Sequence, residues 1–180
     1  MKALFLILVA LCLFATSEAK KSKKFLSNNV LQQDPACQNP FLLFNTGVGN
    51  YLQANRGQAG TFYYTYYPLP ANQQFCLTAG GAIAVSDYSL AMNTSPGGTV
   101  IYFGSTNDVG AVVPEFTAKP VPNINPVSYY FVNYDGSYLA ASADGTQVVL
   151  VRNKNSSNEY LTHWEVLDLN TKVRVNGNFS

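Results

Sequence analysis

Residues 128–151 read SYYFVNYDGSYLAASADGTQVVLV, and residues 161–169 read LTHWEVLDL. The pair Asp144-Gly145 supplies the positive φ angles that a tight hairpin turn needs. A second turn is predicted at 133–136, and β-branched and aromatic residues are concentrated between the turns, as is typical of strands. The pattern predicts four short strands, at 129–132, 137–142, 146–151 and 161–167. A four-strand unit of about forty residues cannot bury its apolar face alone, so further copies are expected.

Three landmarks recur in the same order along the chain: a leucine after a turn, a Gly-Thr pair, and a large aromatic residue. They are Leu52, Gly60 and Phe75, then Leu90, Gly98 and Phe116, and finally Leu139, Gly145 and Trp164. Three such units predict an all-β fold, a β-trefoil in which three four-stranded repeats with pseudo-threefold symmetry close a small barrel with a hairpin cap. We expect the leucines and aromatics to form threefold-related layers of its core. An irregular β-sandwich with coincidental spacing is the alternative.

The chain divides into four segments. Residues 1–19 are predicted to be a secretory signal peptide, with a positive Lys2, an apolar run at 3–14, and the small residues Ser17 and Ala19 before a cleavage point. Residues 20–40 form a basic N-terminal arm and lead-in. Its Lys-rich start at 20–24 is a solvated terminus, a polyanion-binding arm or a processing site. The β-trefoil domain spans 41–169, with repeats at 41–79, 80–120 and 128–169, and residues 170–180 are a C-terminal tail.

Composition and charge narrow the range of functions. The chain is 47% apolar and 12% charged, enough to build a core and unlike a disordered chain. Residues 41–180 hold six Lys or Arg against eight Asp or Glu, a balance of −2 that argues against nucleic acid as a partner. The signal's apolar run is short of the ~20 residues that span a bilayer, and no later segment is longer, so no membrane span is predicted. We expect a secreted, extracellular protein.

Once Cys12 leaves with the signal, Cys37 and Cys76 remain, and in an oxidising compartment we expect them to form a disulfide. Two buried free thiols are the alternative. Three Asn-x-Ser/Thr sequons make the protein a candidate glycoprotein, with Asn155 in a polar loop the best acceptor. The other two are Asn93 and Asn178.

No catalytic, cofactor or metal site is predicted. With a single histidine, His163, and two paired cysteines the chain cannot assemble a zinc site or a Cys–His couple. His163 is adjacent to the inward Trp164, so strand alternation predicts that it faces solvent. Neither a Gly-x-Ser-x-Gly elbow nor a glycine-rich phosphate loop is found. Spacing alone leaves paired carboxylates for glycoside hydrolysis open, but eight scattered acidic residues in a small domain are more often solvated surface. The sequence therefore predicts a protein that is not an enzyme.

Residues 61–67 read TFYYTYY, the most suggestive surface feature of the chain. Because a strand alternates sides, these aromatics cannot all face the core. Either Phe62, Tyr64 and Tyr66 face outward, or Tyr63 and Tyr67 do so with the two threonines. The outward rings are a binding surface, or neighbouring loops cover them.

Residues 41–54, FLLFNTGVGNYLQA, resemble the first hairpin of fascin-type trefoils, and residues 133–146, NYDGSYLAASADGT, are similar to the hairpin of fibroblast-growth-factor-like trefoils. Residues 72–75 resemble a relaxed Gln-x-Trp signature of ricin-B-type lectins. The resemblance covers 41 to about 169 and implies the β-trefoil superfamily without a specific family. Ricin-type sugar sites place an Asp just after the hairpin leucine, where this chain has Gln53, Ala91 and Ala140, so a galactose site of that type is not implied.

Three functions fit these observations. The first is lectin-like binding of a carbohydrate or extracellular glycoconjugate, because tyrosine rings can stack on the apolar face of a sugar. Its candidate contacts are Tyr63, Tyr66, Tyr67, Asp135 and Tyr138. The second is a structural or adhesive component of an extracellular matrix, wall or shell, with matrix proteins as partners. The third is a trefoil-type protease inhibitor, in which one exposed loop occupies an enzyme cleft.

Overall fold

The computed structural model describes residues 37, 39–64, 69–87, 89–105, 108–124 and 127–169, and these residues form twelve strands. The predicted signal peptide, most of the basic arm and the C-terminal tail lie outside the described residues. The strands are β1 (Phe41–Asn45), β2 (Asn50–Gln53), β3 (Thr61–Tyr63), β4 (Phe75–Leu77), β5 (Ile83–Val85), β6 (Ala91–Asn93), β7 (Tyr102–Gly104), β8 (Phe116–Pro120), β9 (Tyr129–Asn133), β10 (Tyr138–Ala141), β11 (Val148–Val151) and β12 (Trp164–Asp168). The short 3-10 helices Ala71–Gln73 and Glu159–Thr162 precede β4 and β12.

Strand pairing repeats with threefold regularity. In each repeat the second and third strands form an antiparallel hairpin: β2–β3, β6–β7 and β10–β11. Successive repeats are joined by the antiparallel pairs β4–β5, β8–β9 and β12–β1. Within the first and third repeats, the first strand also pairs with the fourth, as β1–β4 and β9–β12. In the second repeat the Phe116 N–H donates to the Gly81 carbonyl (2.7 Å), which joins the start of β8 to the residues before β5. Six strands thus form a barrel that three hairpins cap. The fold is a β-trefoil, as predicted.

The barrel interior is filled by one large aromatic from the fourth strand of each repeat. Phe75, Phe116 and Trp164 are 0%, 4% and 0% exposed, as the repeat pattern predicted. The Trp164 Nε1–H donates to the Leu139 carbonyl (2.8 Å), so the ring is buried without an orphaned donor. Phe62 stacks on it at 6.0 Å between ring centroids. Burial of such a side chain contributes roughly 1.5–3 kcal/mol, which makes these rings a main source of stability.

The predicted layer of core leucines is confirmed in two repeats and wrong in one. Leu52 and Leu139 are fully buried, whereas Leu90 is only partly buried and precedes β6. The amide of the last residue of β5 donates to the Leu90 carbonyl, and the amide of the last residue of β9 donates to the Ser137 carbonyl. Leu90 therefore corresponds to Ser137, and the turn before β6 is one residue longer than the turn before β10. Met92, two positions on, is the fully buried counterpart of Leu139.

A ring of three backbone hydrogen bonds closes the cap. Gly60 donates to the Ile101 carbonyl (3.0 Å), Ile101 to that of Val148 (2.9 Å), and Val148 to that of Gly60 (3.0 Å). This ring corrects the predicted equivalence of the three Gly-Thr pairs. Gly98 and Gly145 do match, since each donates to a serine carbonyl three residues earlier. Gly60 instead occupies the position of Ile101 and Val148, so the first hairpin is offset from the other two.

The fourth strand of the third repeat starts later than predicted. Leu161 and Thr162 lie in the 3-10 helix, and β12 begins at Trp164. Local hydrogen bonds hold that turn: the Thr162 Oγ1–H donates to the Glu159 carbonyl (2.6 Å), and the His163 N–H donates to the Tyr160 carbonyl (3.3 Å). The His163 N–H is thus bonded within the turn, and β12 begins one residue later at Trp164.

The predicted disulfide is confirmed. Cys37 and Cys76 are joined, with their Cα atoms 6.1 Å apart and 39 positions between them in the sequence. Cys76 lies in β4 and is buried, so the bridge attaches the lead-in before β1 to the barrel wall.

Candidate functional site

The predicted tyrosine surface on β3 is partly described. Phe62 packs against the core, which turns its neighbour Tyr63 outward with 56% of the residue exposed. Tyr64 follows β3 and is 74% exposed. Tyr66 and Tyr67 lie outside the described residues. Tyr63 and Tyr64 are therefore open to solvent, and the role of this surface stays a prediction.

Tyr138 belongs to a cluster that we call the Tyr130 cluster: Tyr130, Tyr138, Lys154, Glu159 and His163. The Lys154 Nζ lies 3.6 Å from the centroid of the Tyr130 ring and 4.8 Å from that of Tyr138. The same Nζ is 3.6 Å from Glu159 Oε1, which accepts a hydrogen bond from the Tyr130 hydroxyl (2.8 Å). Lys154 thus lies over one face of the Tyr138 ring.

Burial and hydrogen bonding shift the pKa values of Tyr130, Glu159 and His163. Desolvation raises the pKa of Tyr130, and the hydrogen bond to Glu159 adds to that rise. The hydrogen bond from Tyr130, with the charge of Lys154, lowers the pKa of Glu159. His163 was expected to face solvent, but it is half-buried with its Nε2 3.3 Å from the Tyr130 hydroxyl oxygen. Desolvation lowers its pKa, which favours the neutral imidazole.

Asp135 shapes the turn between β9 and β10. Its Oδ1 accepts hydrogen bonds from the Ser137 N–H (2.9 Å), the Ser137 Oγ–H (2.6 Å) and the Asn133 Nδ2–H (3.0 Å). The bonds from Ser137, helped by the charge of Arg152, lower the pKa of the Asp135 carboxyl. Asp87 in the second repeat accepts the same backbone bond from the residue two positions on. One oxygen of the Asp135 carboxylate is therefore committed to the turn.

An open cavity of about 540 Å³ lies between the second and third repeats. Its walls are the β6–β7 turn, the residues before β8, the β9–β10 turn and the end of β11. The lining residues are Thr94, Ser95, 97–99, Val112, Pro114, 133–135, Ser137, Leu150 and Arg152. This volume is in the range of small-ligand sites, roughly 300–1,000 Å³. Of the five predicted contacts, the structure places only Asp135 on this lining among the described residues.

The cavity is open because its two repeats do not pack as the third and first do. A Cβ on Gly145 in the β10–β11 turn would lie 3.6 Å from Val48 Cγ2 of the first repeat, so an apolar side chain covers that turn. At the corresponding β6–β7 turn, a Cβ on Gly97 would meet no atom within 4 Å. The nearest atoms to a Cβ on Gly98 all belong to its own turn. The β6–β7 turn is thus uncovered, and the space beside it is the cavity.

Four polar side chains of the lining are uncommitted. Within the described residues, the hydroxyls of Ser95, Thr99 and Tyr134 and the guanidinium of Arg152 make no hydrogen bond or ion pair. Tyr134 is 76% exposed, so its ring face and its hydroxyl are both accessible. Leu150 supplies a half-buried apolar surface between these groups. The cavity therefore combines an exposed aromatic ring, free donors and one cation.

Sequence reasoning selected Asp135 but missed Tyr134, Arg152, Ser95 and Thr99. A signal existed for Tyr134: a large aromatic inside a tight turn has no core to face. No comparable signal marked the other three, because the packing of one repeat against the next brings them to the same cavity.

The described residues contain no group of three or more His, Cys, Asp or Glu that could hold a metal ion. The described part of the chain also contains no helix with the length and apolar character needed to cross a membrane.

The three sequons differ in accessibility. Asn93 is fully buried and its Nδ2–H donates to the Ser105 carbonyl (3.2 Å), which does not fit an acceptor in the folded protein. Asn155 is exposed, and its Oδ1 accepts the Ser157 Oγ–H (2.6 Å), which leaves its amide nitrogen free. Asn178 lies outside the described residues. Glycosylation at Asn155 stays a prediction.

No family model and no curated protein matches the chain, whereas solved structures do. An endo-β-galactosidase from Clostridium perfringens that releases GlcNAcα1-4Gal superposes with a TM-score of 0.57 at 11% identity, over 73% of this chain and 32% of that one. GalNAc-T7 with UDP, GalNAc and Mn2+ gives 0.52 at 12%, over 73% and 22%. SeviL bound to asialo-GM1 saccharide gives 0.50 at 15%, over 72% and 96%. The chain thus spans a third or less of the two enzymes and nearly all of SeviL. At these identities the likeness shows the fold.

Proposed function

We propose that the protein is a secreted, non-enzymatic β-trefoil protein that binds carbohydrate in the cavity between its second and third repeats. The observation that carries this proposal is the exposed Tyr134 ring beside uncommitted hydroxyls and the Arg152 guanidinium. A sugar presents an apolar ring face and a rim of hydroxyls, and this lining offers a partner for each. Residues 1–19 support secretion, and SeviL, which has this fold over nearly its whole length, is described bound to a saccharide.

The lining also supports binding over hydrolysis. Glycosidases usually flank the scissile bond with two carboxyl groups. Asp135 is the one carboxylate among the described residues that line the cavity, and its Oδ1 is already held by the turn. The two similar enzymes are much longer than this chain, so their catalytic activities do not bear on a trefoil domain of this size.

The test is a glycan array with the secreted protein, followed by calorimetric titration of each saccharide that binds. Tyr134→Ala should weaken binding about three- to tenfold through the lost ring contact. Tyr160→Ala is the matched control, because Tyr160 is also exposed (50%) and does not line the cavity. If Tyr63→Ala weakens binding and Tyr134→Ala does not, the sugar lies at β3 and the cavity assignment is wrong.

Failure to bind any saccharide would overturn the proposal. Retention in an insoluble matrix without competition by free sugar would then favour the structural or adhesive role. Nanomolar inhibition of a protease would favour the inhibitor role.

A further inference from the structure

The polar lining of the cavity has one cation without a hydrogen-bonded partner. Arg152 directly follows β11 and is exposed. Lys154, two residues on, is held by the Tyr130 and Tyr138 rings and by Glu159. The same loop therefore contains a cation committed to the fold and a cation left for a ligand.

The Asp135 carboxylate is held by its own turn. Its Oδ1 accepts three hydrogen bonds from Ser137 and Asn133, so this oxygen is committed to the turn and not to Arg152. Arg152 influences the Asp135 carboxyl electrostatically, yet no ion pair joins them among the described residues. The guanidinium keeps its donors, and these match the two oxygens of a carboxylate or the oxygens of a sulfate.

We propose that the ligand of this cavity is an acidic saccharide, one that carries a carboxylate or a sulfate group which Arg152 binds. This inference rests on the proposed function and names the class of sugar. The Tyr134 ring stacks on the apolar face of the sugar, and the hydroxyls of Ser95 and Thr99 bind its hydroxyl rim. One guanidinium recognises one anionic group, which differs from the broad basic surface that binds a polyanion. The described residues near the cavity show no such surface.

The experiment titrates matched pairs of saccharides against the full secreted protein. Each pair contains a neutral sugar and the same sugar as its uronate or its 6-sulfate, in the glucose, galactose and N-acetylglucosamine series. A charge-assisted contact predicts that the acidic member binds about tenfold or more tightly. The uronate and sulfate arms show which anion Arg152 prefers.

Two variants test whether Arg152 causes the preference for the acidic saccharide. Arg152→Gln should abolish the preference for the acidic member without changing the melting temperature, because Arg152 is exposed and makes no structural bond among the described residues. Arg56→Gln is the matched control, since Arg56 is an exposed arginine that does not line the cavity. An equal effect of both variants would mean nonspecific charge attraction and would refute the role of Arg152.

The outcomes separate this inference from the proposed function. Tyr134-dependent binding of neutral and acidic members alike, unchanged by Arg152→Gln, would overturn the acidic class and leave carbohydrate binding intact. An acidic preference that survives Arg152→Gln would overturn the assignment to this arginine. No binding of any saccharide would overturn both.

Discussion

Replacing Gly60 with alanine should destabilise the protein, because the added methyl group has no room at the cap. A Cβ at this position would lie 2.9 Å from Phe103 Cε2 and 3.1 Å from Val148 Cγ2. Both neighbours are fully buried, so neither can swing into solvent. The φ angle of Gly60 is outside the left-handed region, which makes the clash, and not backbone strain, the source of the cost.

The magnitude follows from two opposing effects. Overpacking of a buried site costs about 1–3 kcal/mol. The loss of backbone freedom in the unfolded chain returns about 0.4–1 kcal/mol. The free energy of unfolding should therefore fall by about 1.3 kcal/mol, between limits of about 0 and 2.6 kcal/mol, and by about 1–3 kcal/mol relative to a glycine-to-alanine change without a clash. Gly80→Ala is the matched control: Gly80 is also outside the left-handed region, and its Cβ would meet nothing closer than 3.9 Å. That variant should be neutral or slightly stabilising.

Urea denaturation of the oxidised proteins, with the midpoint and m-value fitted for each, measures both effects. A double-mutant cycle with Phe103→Leu locates the clash, because removal of the ring edge should recover part of the cost of Gly60→Ala. We expect a coupling free energy of at least about 0.5 kcal/mol. If Gly60→Ala is no more destabilising than Gly80→Ala, or if the cycle shows no coupling, the packing described at the cap is wrong.

Three further predictions concern the core, the disulfide and pH. Leu139→Ala should lower the free energy of unfolding by roughly 2–5 kcal/mol as a cavity in a packed core, and a cost no greater than that of the partly buried Leu90→Ala would refute the corrected register. Loss of the bridge between Cys37 and Cys76 should cost roughly 3–4 kcal/mol, because a crosslink that closes a loop of this size restricts the unfolded chain. Two alkyl adducts on the unreduced, unfolded protein, measured by intact mass, would show that the bridge is not formed. Burial lowers the pKa of His163 below 6.5, so the unfolded chain takes up the proton first and stability should fall as pH drops below that value. His163→Gln should reduce this loss between pH 7 and about 5 in denaturant titrations, and an unchanged slope would contradict the assignment.

The fold could be predicted because strand alternation and turn chemistry are local. Asp144-Gly145 marks a hairpin turn from two adjacent residues, and Phe75, Phe116 and Trp164 mark the barrel interior at similar spacings. Three repeats of a local pattern then fix a global topology, since each must bury its apolar face against the others.

Register errors arose where turn lengths differ between repeats. Leu90 precedes a small residue after a turn, as Leu139 does, but the hydrogen-bond register matches it with Ser137 and gives the buried position of Leu139 to Met92. Gly60 looked equivalent to Gly145 because both precede threonine, and only the hydrogen-bond ring reveals its true position. A turn has no apolar periodicity, so the number of residues in a turn cannot be read from hydrophobic spacing.

The candidate site was harder to predict because its groups are distant in sequence. Ser95 and Arg152 line one cavity although 57 positions separate them. Tyr138 looked like an exposed sugar contact, and the burial of its face by Lys154 depends on how a polar loop folds back over β9 and β10. Such long-range contacts leave no pattern in a single sequence.

The position of Trp164 gives the protein an intrinsic optical probe. It is the chain's only tryptophan, it is fully buried, and its indole N–H is bound to a backbone carbonyl. Its fluorescence in the folded state should be emitted at short wavelength, as expected of an indole shielded from water, and should shift to the red on unfolding. Because Trp164 does not line the cavity, a bound saccharide should leave this emission almost unchanged. The same fluorophore can therefore report unfolding without a label, whether or not the cavity is occupied.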